Sequence, residues 1–174
     1  MRRHSCDNIK LTDLLVEVLE NEINAINAGR YVPVYVNNVP VSALVDSGNS
    51  AGCCISAAFA KEIGLTASDL ERHNVMIGTA KKGASLTCLG KTTEPIKVTF
   101  AGTNFTYEIR PFVIKELSSH VNLSLSFLED NNIDQLHSIK GLRVQNQVIN
   151  MHARKQSYGV QNINVDEQIG RAHV

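Results

Sequence analysis

Asp46, Ser47 and Gly48 follow directly on the apolar run Val41-Ser42-Ala43-Leu44-Val45, and they are the residues best placed to do chemistry. A strand that ends in a carboxylate, a hydroxyl and a glycine presents an acid–base group on a tight loop. The same three residue types are ordinary turn formers, so the tripeptide alone is a weak signal. Its surroundings strengthen it, because Ile55-Ser56 and a capped helix follow and a polar-tipped hairpin lies further on. Other candidates carry less. Lys81-Lys82 suit the steering of an acidic substrate, yet at a hairpin tip they read first as a solvated pair. The histidines at 4, 73, 120, 137, 152 and 173 are dispersed, and none of Cys6, Cys53, Cys54 and Cys88 shows C-x-x-C spacing. No metal and no cofactor is therefore expected. Cys53 and Cys54 read as small core residues. Asn104-Phe105-Thr106 and Asn122-Leu123-Ser124 match the glycosylation sequon, but without a signal peptide they read as chance matches.

The elements that must position Asp46 can be traced on either side of it. Tyr31–Val36 and Val39–Val45 are β-rich runs joined by Asn37-Asn38, which tolerate the positive φ of a two-residue hairpin turn. Pro33 and Pro40 cannot donate a ladder hydrogen bond and belong at edges or strand ends. Ser56 is suited to cap a short helix over Ala57–Ile63 that Gly64 ends. Asn74–Thr79 and Leu86–Leu89 flank the polar tip Ala80-Lys81-Lys82-Gly83 as a second hairpin. Ile96, Val98 and Phe100 alternate with polar residues, as do Phe105, Tyr107 and Ile109, and Gly102 sits between them: a half-buried hairpin. Phe112-Val113-Ile114 continues the sheet, a helix is expected within Ser126–Asn131, and Leu142–Val144 and Val148-Ile149 supply closing strands.

In this context the chain resembles the retropepsin-like aspartic proteases, in particular those of retrotransposon and retroviral polyproteins. The resemblance spans about Tyr31 to Asn150 and rests on parts in a fixed order. Ala43-Leu44-Val45-Asp46-Ser47-Gly48 resembles the catalytic loop and its lead-in strand. Thr79-Ala80-Lys81-Lys82-Gly83-Ala84-Ser85-Leu86, ending in Leu89-Gly90, resembles the flap. Val121 to Leu128 resembles the later apolar segment and helix, and Asp134–Ser138 leading to Gly141–Val144 also suits retroelement members.

The fold this implies is all-β: a closed, barrel-like half-site with a flap hairpin and one or two short helices, preceded by an N-terminal helix. The implied activity is hydrolysis of extended polypeptide by a water held between two carboxylates. Only one Asp-Ser-Gly is present, so the resemblance implies a homodimer in which Asp46 of each copy meets on the axis. Ser47 would hydrogen-bond across that axis, Gly48 would let the two loops approach, and Thr79, Ala80, Lys81, Lys82, Gly83 and Ala84 would close over the substrate. Two positions depart from the family pattern. Leu123-Ser124 stands where Leu-Gly is usual, and the added side chain of Ser124 is expected to crowd the loop beside Asp46; Asn49 stands where many members have alanine. Two functions fit this reading, an active endopeptidase of a retroelement polyprotein and a decayed or domesticated module that only dimerises or binds peptide.

Composition sets the outer bounds. The 174 residues balance 17 basic against 17 acidic side chains, which argues against a chain that coats nucleic acid or anionic membrane. No apolar run approaches the roughly 20 residues of a membrane span. Reduced cysteines and the lack of an apolar leader point to the cytoplasm or the interior of retroelement particles. Three zones are expected: residues 1–30 as an amphipathic helical extension with Leu11, Leu14, Leu15, Val18, Leu19, Ile23 and Ile26 on one stripe, residues 31–150 as the protease domain, and residues 151–174 as an unstructured Gln- and Asn-rich tail. The final Ile169-Gly170-Arg171-Ala172-His173-Val174 matches the translation of a common sequencing adapter and is expected to be an artefact.

Overall fold

The structure, a computed structural model, describes residues 30–72, 75–78 and 85–153. The expected N-terminal helix, the tip of the second hairpin and the tail beyond residue 153 lie outside them.

Strands β1 (Tyr31–Val36) and β2 (Val39–Val45) pair antiparallel through Val36↔Val39. Asn37 and Asn38 turn the chain between them at φ 46° and 68°. The Asn37 side chain also serves the strand that pairs with the other edge of β1, since its Oδ1 accepts from Lys97 N at 2.9 Å. β1 carries a period-2 pattern that buries Val32, Val34 and Val36 while Pro33 and Tyr35 stay half-exposed. β2 differs: Val41 to Val45 are all buried, because neighbouring elements cover both faces. β3 (Cys54–Ser56) runs into helix α1 (Ala57–Glu62), whose first turn is capped where Ser56 Oγ accepts from Phe59 N at 3.0 Å. Gly64, at φ 88°, ends it.

After the short β4 (Leu70–Glu71), β5 (Val75–Gly78) and β6 (Ser85–Thr92) form the second hairpin. Gly90 lies at a bulge in β6, where an added Cβ would fall 2.5 Å from the Glu71 carbonyl oxygen, so only glycine lets β4 pair here. β7 (Ile96–Phe100) and β8 (Thr106–Ile109) make the alternating hairpin, with Ile96, Val98, Phe100 and Ile109 buried. β9 (Phe112–Ile114) and β10 (Val121–Leu123) follow, and then helix α2 (Leu125–Asp130). Together β1 to β10 form one curled sheet, ordered β4-β6-β9-β3-β10-β2-β1-β7-β8 with β5 against β6.

The closing strands do not extend this sheet. β11 (Asp134–Leu136), β12 (Gly141–Val144) and β13 (Gln147–Asn150) build a separate three-stranded sheet. Leu142, Val144 and Ile149 point from it into the main core. An edge-to-face series, Phe100 on Tyr107 (5.9 Å) and Tyr107 on Phe127 (5.7 Å), ties the β7–β8 hairpin to α2. The chain then returns to the first residue of β1, where Tyr31 and His152 exchange backbone hydrogen bonds of 2.9 and 2.7 Å.

Candidate active site

The decisive placement is that of β10. It lies between β2 and β3, parallel to the first (Asn122↔Leu44, Leu123↔Val45) and antiparallel to the second (Val121↔Ile55, Asn122↔Cys54). The loop joining β2 to β3 therefore arches over the end of β10. Asp46 opens that loop and is tied down at once, its N–H donating to Leu123 O at 2.9 Å. A tight turn follows, with Asn49 N donating to Asp46 O at 3.0 Å.

Although it sits at a strand end, Asp46 is only 4% exposed. A buried carboxylate must be hydrogen-bonded to persist. Its Oδ1 accepts from Gly48 N at 3.1 Å and its Oδ2 from Asn122 Nδ2 at 3.1 Å. Ser47 and Gly48 themselves are exposed at the crest of the loop. The residues expected to act together at this loop are thus brought together, with the carboxylate held from below and the hydroxyl and glycine outermost. The expected flap residues Thr79, Ala80, Lys81, Lys82, Gly83 and Ala84 lie outside the described residues, while the strands that lead to them are paired up to Gly78↔Ser85.

Sequence reasoning missed the part played by three residues. Asn49, wholly buried, organises the rest of the loop: its Oδ1 accepts from Ala51 N (2.9 Å) and Gly52 N (3.2 Å), and its Nδ2 donates to Gly52 O (2.7 Å) and Asn122 Oδ1 (2.9 Å). An Asn two or three residues ahead of the amides it accepts from is a local turn signal, and this much was readable beforehand. Asn122, read as part of a chance sequon and of the later apolar segment, is a wholly buried link between that loop and Asp46. Ser124 does not crowd the loop. Its hydroxyl is absorbed as the N-cap of α2, accepting from Phe127 N at 3.3 Å and lying 2.9 Å from Ser126 Oγ, while the neighbouring Leu125 N donates to Asn49 O at 3.0 Å. Gly52, at φ 133°, closes the loop where a Cβ would meet the Phe112 ring at 3.3 Å.

The thiols nearby are quiet. Burial pushes the Cys53 thiol up from its ordinary range, and hydrogen bonds with Ser124 only partly oppose this, so it stays protonated at neutral pH. Cys88 is raised by burial in the same way. Cys53, Cys54 and Cys88 are all buried, and none of the three is in a disulfide. Among the described residues, no three His, Cys, Asp or Glu side chains cluster so as to hold a metal ion, and no helix is long and apolar enough to cross a membrane.

A curled β-sheet with a strand threaded between β2 and β3, and a buried Asp at the first residue of the loop joining them, defines a class. Residues 32–127, more than half of the chain, match the family described as aspartyl protease, and the chain belongs to that family. The fold is retropepsin-like. The retroviral protease-like domain of Ddi1 from Leishmania major superposes with a TM-score of 0.58 at 19% identity, covering 73% of this chain and 96% of that one. EIAV protease, solved with the inhibitor HBY-793, matches with a TM-score of 0.44 at 16% identity over 61% of this chain and 90% of its own. A retropepsin-like aspartic protease from Rickettsia conorii gives 0.42 at 19% identity over 71% and 81%. No curated protein sequence matches the chain significantly.

Proposed function

We propose that the protein is an aspartic endopeptidase that cleaves extended polypeptide, with its working site made by two copies of the chain. The observation that carries this reading is the single Asp46 carboxylate, buried and held by Gly48 N and Asn122 Nδ2, on a loop whose crest is the exposed Ser47-Gly48. The sequence holds no second Asp-Ser-Gly, so the partner carboxylate comes from a second copy. A symmetric dimer brings like loops together, and two adjacent carboxylates then share one proton because both cannot ionise at close range.

The ionised carboxylate takes a proton from a bound water as the water oxygen attacks the scissile carbonyl carbon. The protonated partner gives its proton to the carbonyl oxygen, and the resulting diol collapses as the amide nitrogen is protonated and leaves. In this reading Ser47 bonds across the axis, Gly48 permits the approach of the loops, and residues 79–84 close over the substrate strand. Residues 31–150 are the protease unit, and a retroelement polyprotein is the substrate class that the family resemblance favours.

The test is cleavage of an unstructured polypeptide by the purified full chain at mildly acidic pH. Asp46→Asn is expected to lower kcat/KM on the order of 10³-fold or more. Specific activity of the wild type is expected to rise with protein concentration in step with dimer formation seen by sedimentation. Equal cleavage by wild type and variant, no cleavage by either at dimer-forming concentrations, or a fully active monomer would overturn the proposal.

A further inference from the structure

The flanking residues of β10, Val121 and Leu123, are buried and apolar, as expected of a strand hydrogen-bonded on both sides. Asn122 between them is equally buried. An amide in that place costs on the order of 1–3 kcal/mol unless its polar atoms are paired. Both are, and the direction of the pairing is forced. Ala51 N and Gly52 N can only donate, so the Asn49 atom facing them is Oδ1. Gly52 O can only accept, so Nδ2 of Asn49 faces the other way and donates to it. The same Nδ2 reaches Asn122, whose facing atom must therefore be the acceptor Oδ1. What remains for Asp46 Oδ2 is the Asn122 Nδ2 donor. Backbone polarity at residues 51–52 is thus passed through two side chains to the carboxylate.

We infer that Asn122 is a positioning residue for Asp46: its Nδ2 fixes the carboxylate's orientation and favours its charged form, and Asn49 sets the direction in which the Asn122 amide faces. A donor on a carboxylate oxygen stabilises the anion more than the acid. Among the described residues, few other titratable groups lie on the elements next to Asp46: Arg30, whose carbonyl accepts from Val45 N, is exposed. β2 carries none along Val39–Val45. The loop and β3 bring Cys53, kept protonated by burial, and Cys54, whose thiol donates to Gly52 O at 3.3 Å. On α2, Glu129 and Asp130 are exposed. In the dimer of the proposed function, the partner's Asp46 is the further charged group. The kinetic part of this inference rests on that function; the titration part does not.

The full chain, wild type and Asn122→Leu, is assayed for the pH dependence of kcat/KM on an unstructured polypeptide. In parallel, the Asp46 carboxyl is titrated by carbon-13 NMR. Loss of the donor is expected to move the acid limb, and the carboxyl titration with it, upward by about one pH unit. Asn49→Ala is expected to move both in the same direction by less. Should Asn122→Leu not fold, Asn122→Ala carries the same test without added bulk. A uniform loss of rate with the acid limb in place, or an Asp46 titration identical in folded wild type and variant, would overturn the inference. If the wild type cleaves nothing, the protease proposal fails and the NMR titration alone decides the role of Asn122.

Discussion

The β1–β2–β7–β8 wing and the 46–53 loop are equally closed to water at their centres, yet they are held in opposite ways. In the wing, Val32, Val34, Val36, Val98 and Phe100 pack without any polar side chain among them, and alternation along each strand suffices to place them. Such contacts are numerous and individually small, and volume-conserving exchanges are tolerated. At the loop, Asp46 and Asn49, together with Asn122 of β10, are buried through a few directional hydrogen bonds whose donors and acceptors cannot be exchanged. The wing supplies stability that is shared widely. The loop uses some of that stability to hold a carboxylate in one orientation.

The sharpest way to break this contrast is through the wing. Phe100→Ala removes a fully buried ring at the end of the edge-to-face series and is expected to cost about 3–5 kcal/mol of unfolding free energy, measured by denaturant titration. A much smaller loss would mean that the wing is not the main store of stability. A milder probe lies at the join between the two regions. Ser124→Ala deletes the α2 cap and is expected to cost about 1 kcal/mol by the same measurement. A loss as large as that of Phe100→Ala would make Ser124 part of the loop's polar lattice rather than a helix cap.

The smallest effect comes from the thiols. Cys53 and Cys88 are raised above their ordinary value of 9.0 by burial, so the folded state keeps its thiol protons where the unfolded chain loses them. Their contribution is fully present below that value, and stability falls as pH rises through it. Near pH 9 the loss is expected to be less than about 1 kcal/mol. Replacing both residues by alanine should flatten the alkaline decline of unfolding free energy, and an unchanged decline would place its origin elsewhere.

What could be read from the sequence follows the same division. The β1–β2 hairpin was legible to the residue because period-2 burial and two left-handed asparagines are local signals. The Ser56 cap was legible for the same reason. The placement of Asn122 was not, because a three-residue strand has no readable period and its neighbours, Leu44 and Cys54, come from distant parts of the chain. Asn49 and Ser124 looked like departures from a pattern, since the groups that satisfy them become visible only once the loop has closed. β12 and β13 were recognisable as strands and β11 was not, and the choice between one sheet and two is made by tertiary packing.

The insertion of β10 between β2 and β3 also bears on the order in which the molecule assembles. Asp46 and the amide that holds it are 76 residues apart in sequence. Contacts of such separation form late, after hairpins such as β1–β2 and β7–β8, because the intervening chain must first lose its freedom. On a ribosome, a chain that has emerged only as far as β9 already contains Asp46, Ser47 and Gly48 but lacks the strand that fixes them. The carboxylate is therefore committed to its place only after most of the domain has been made.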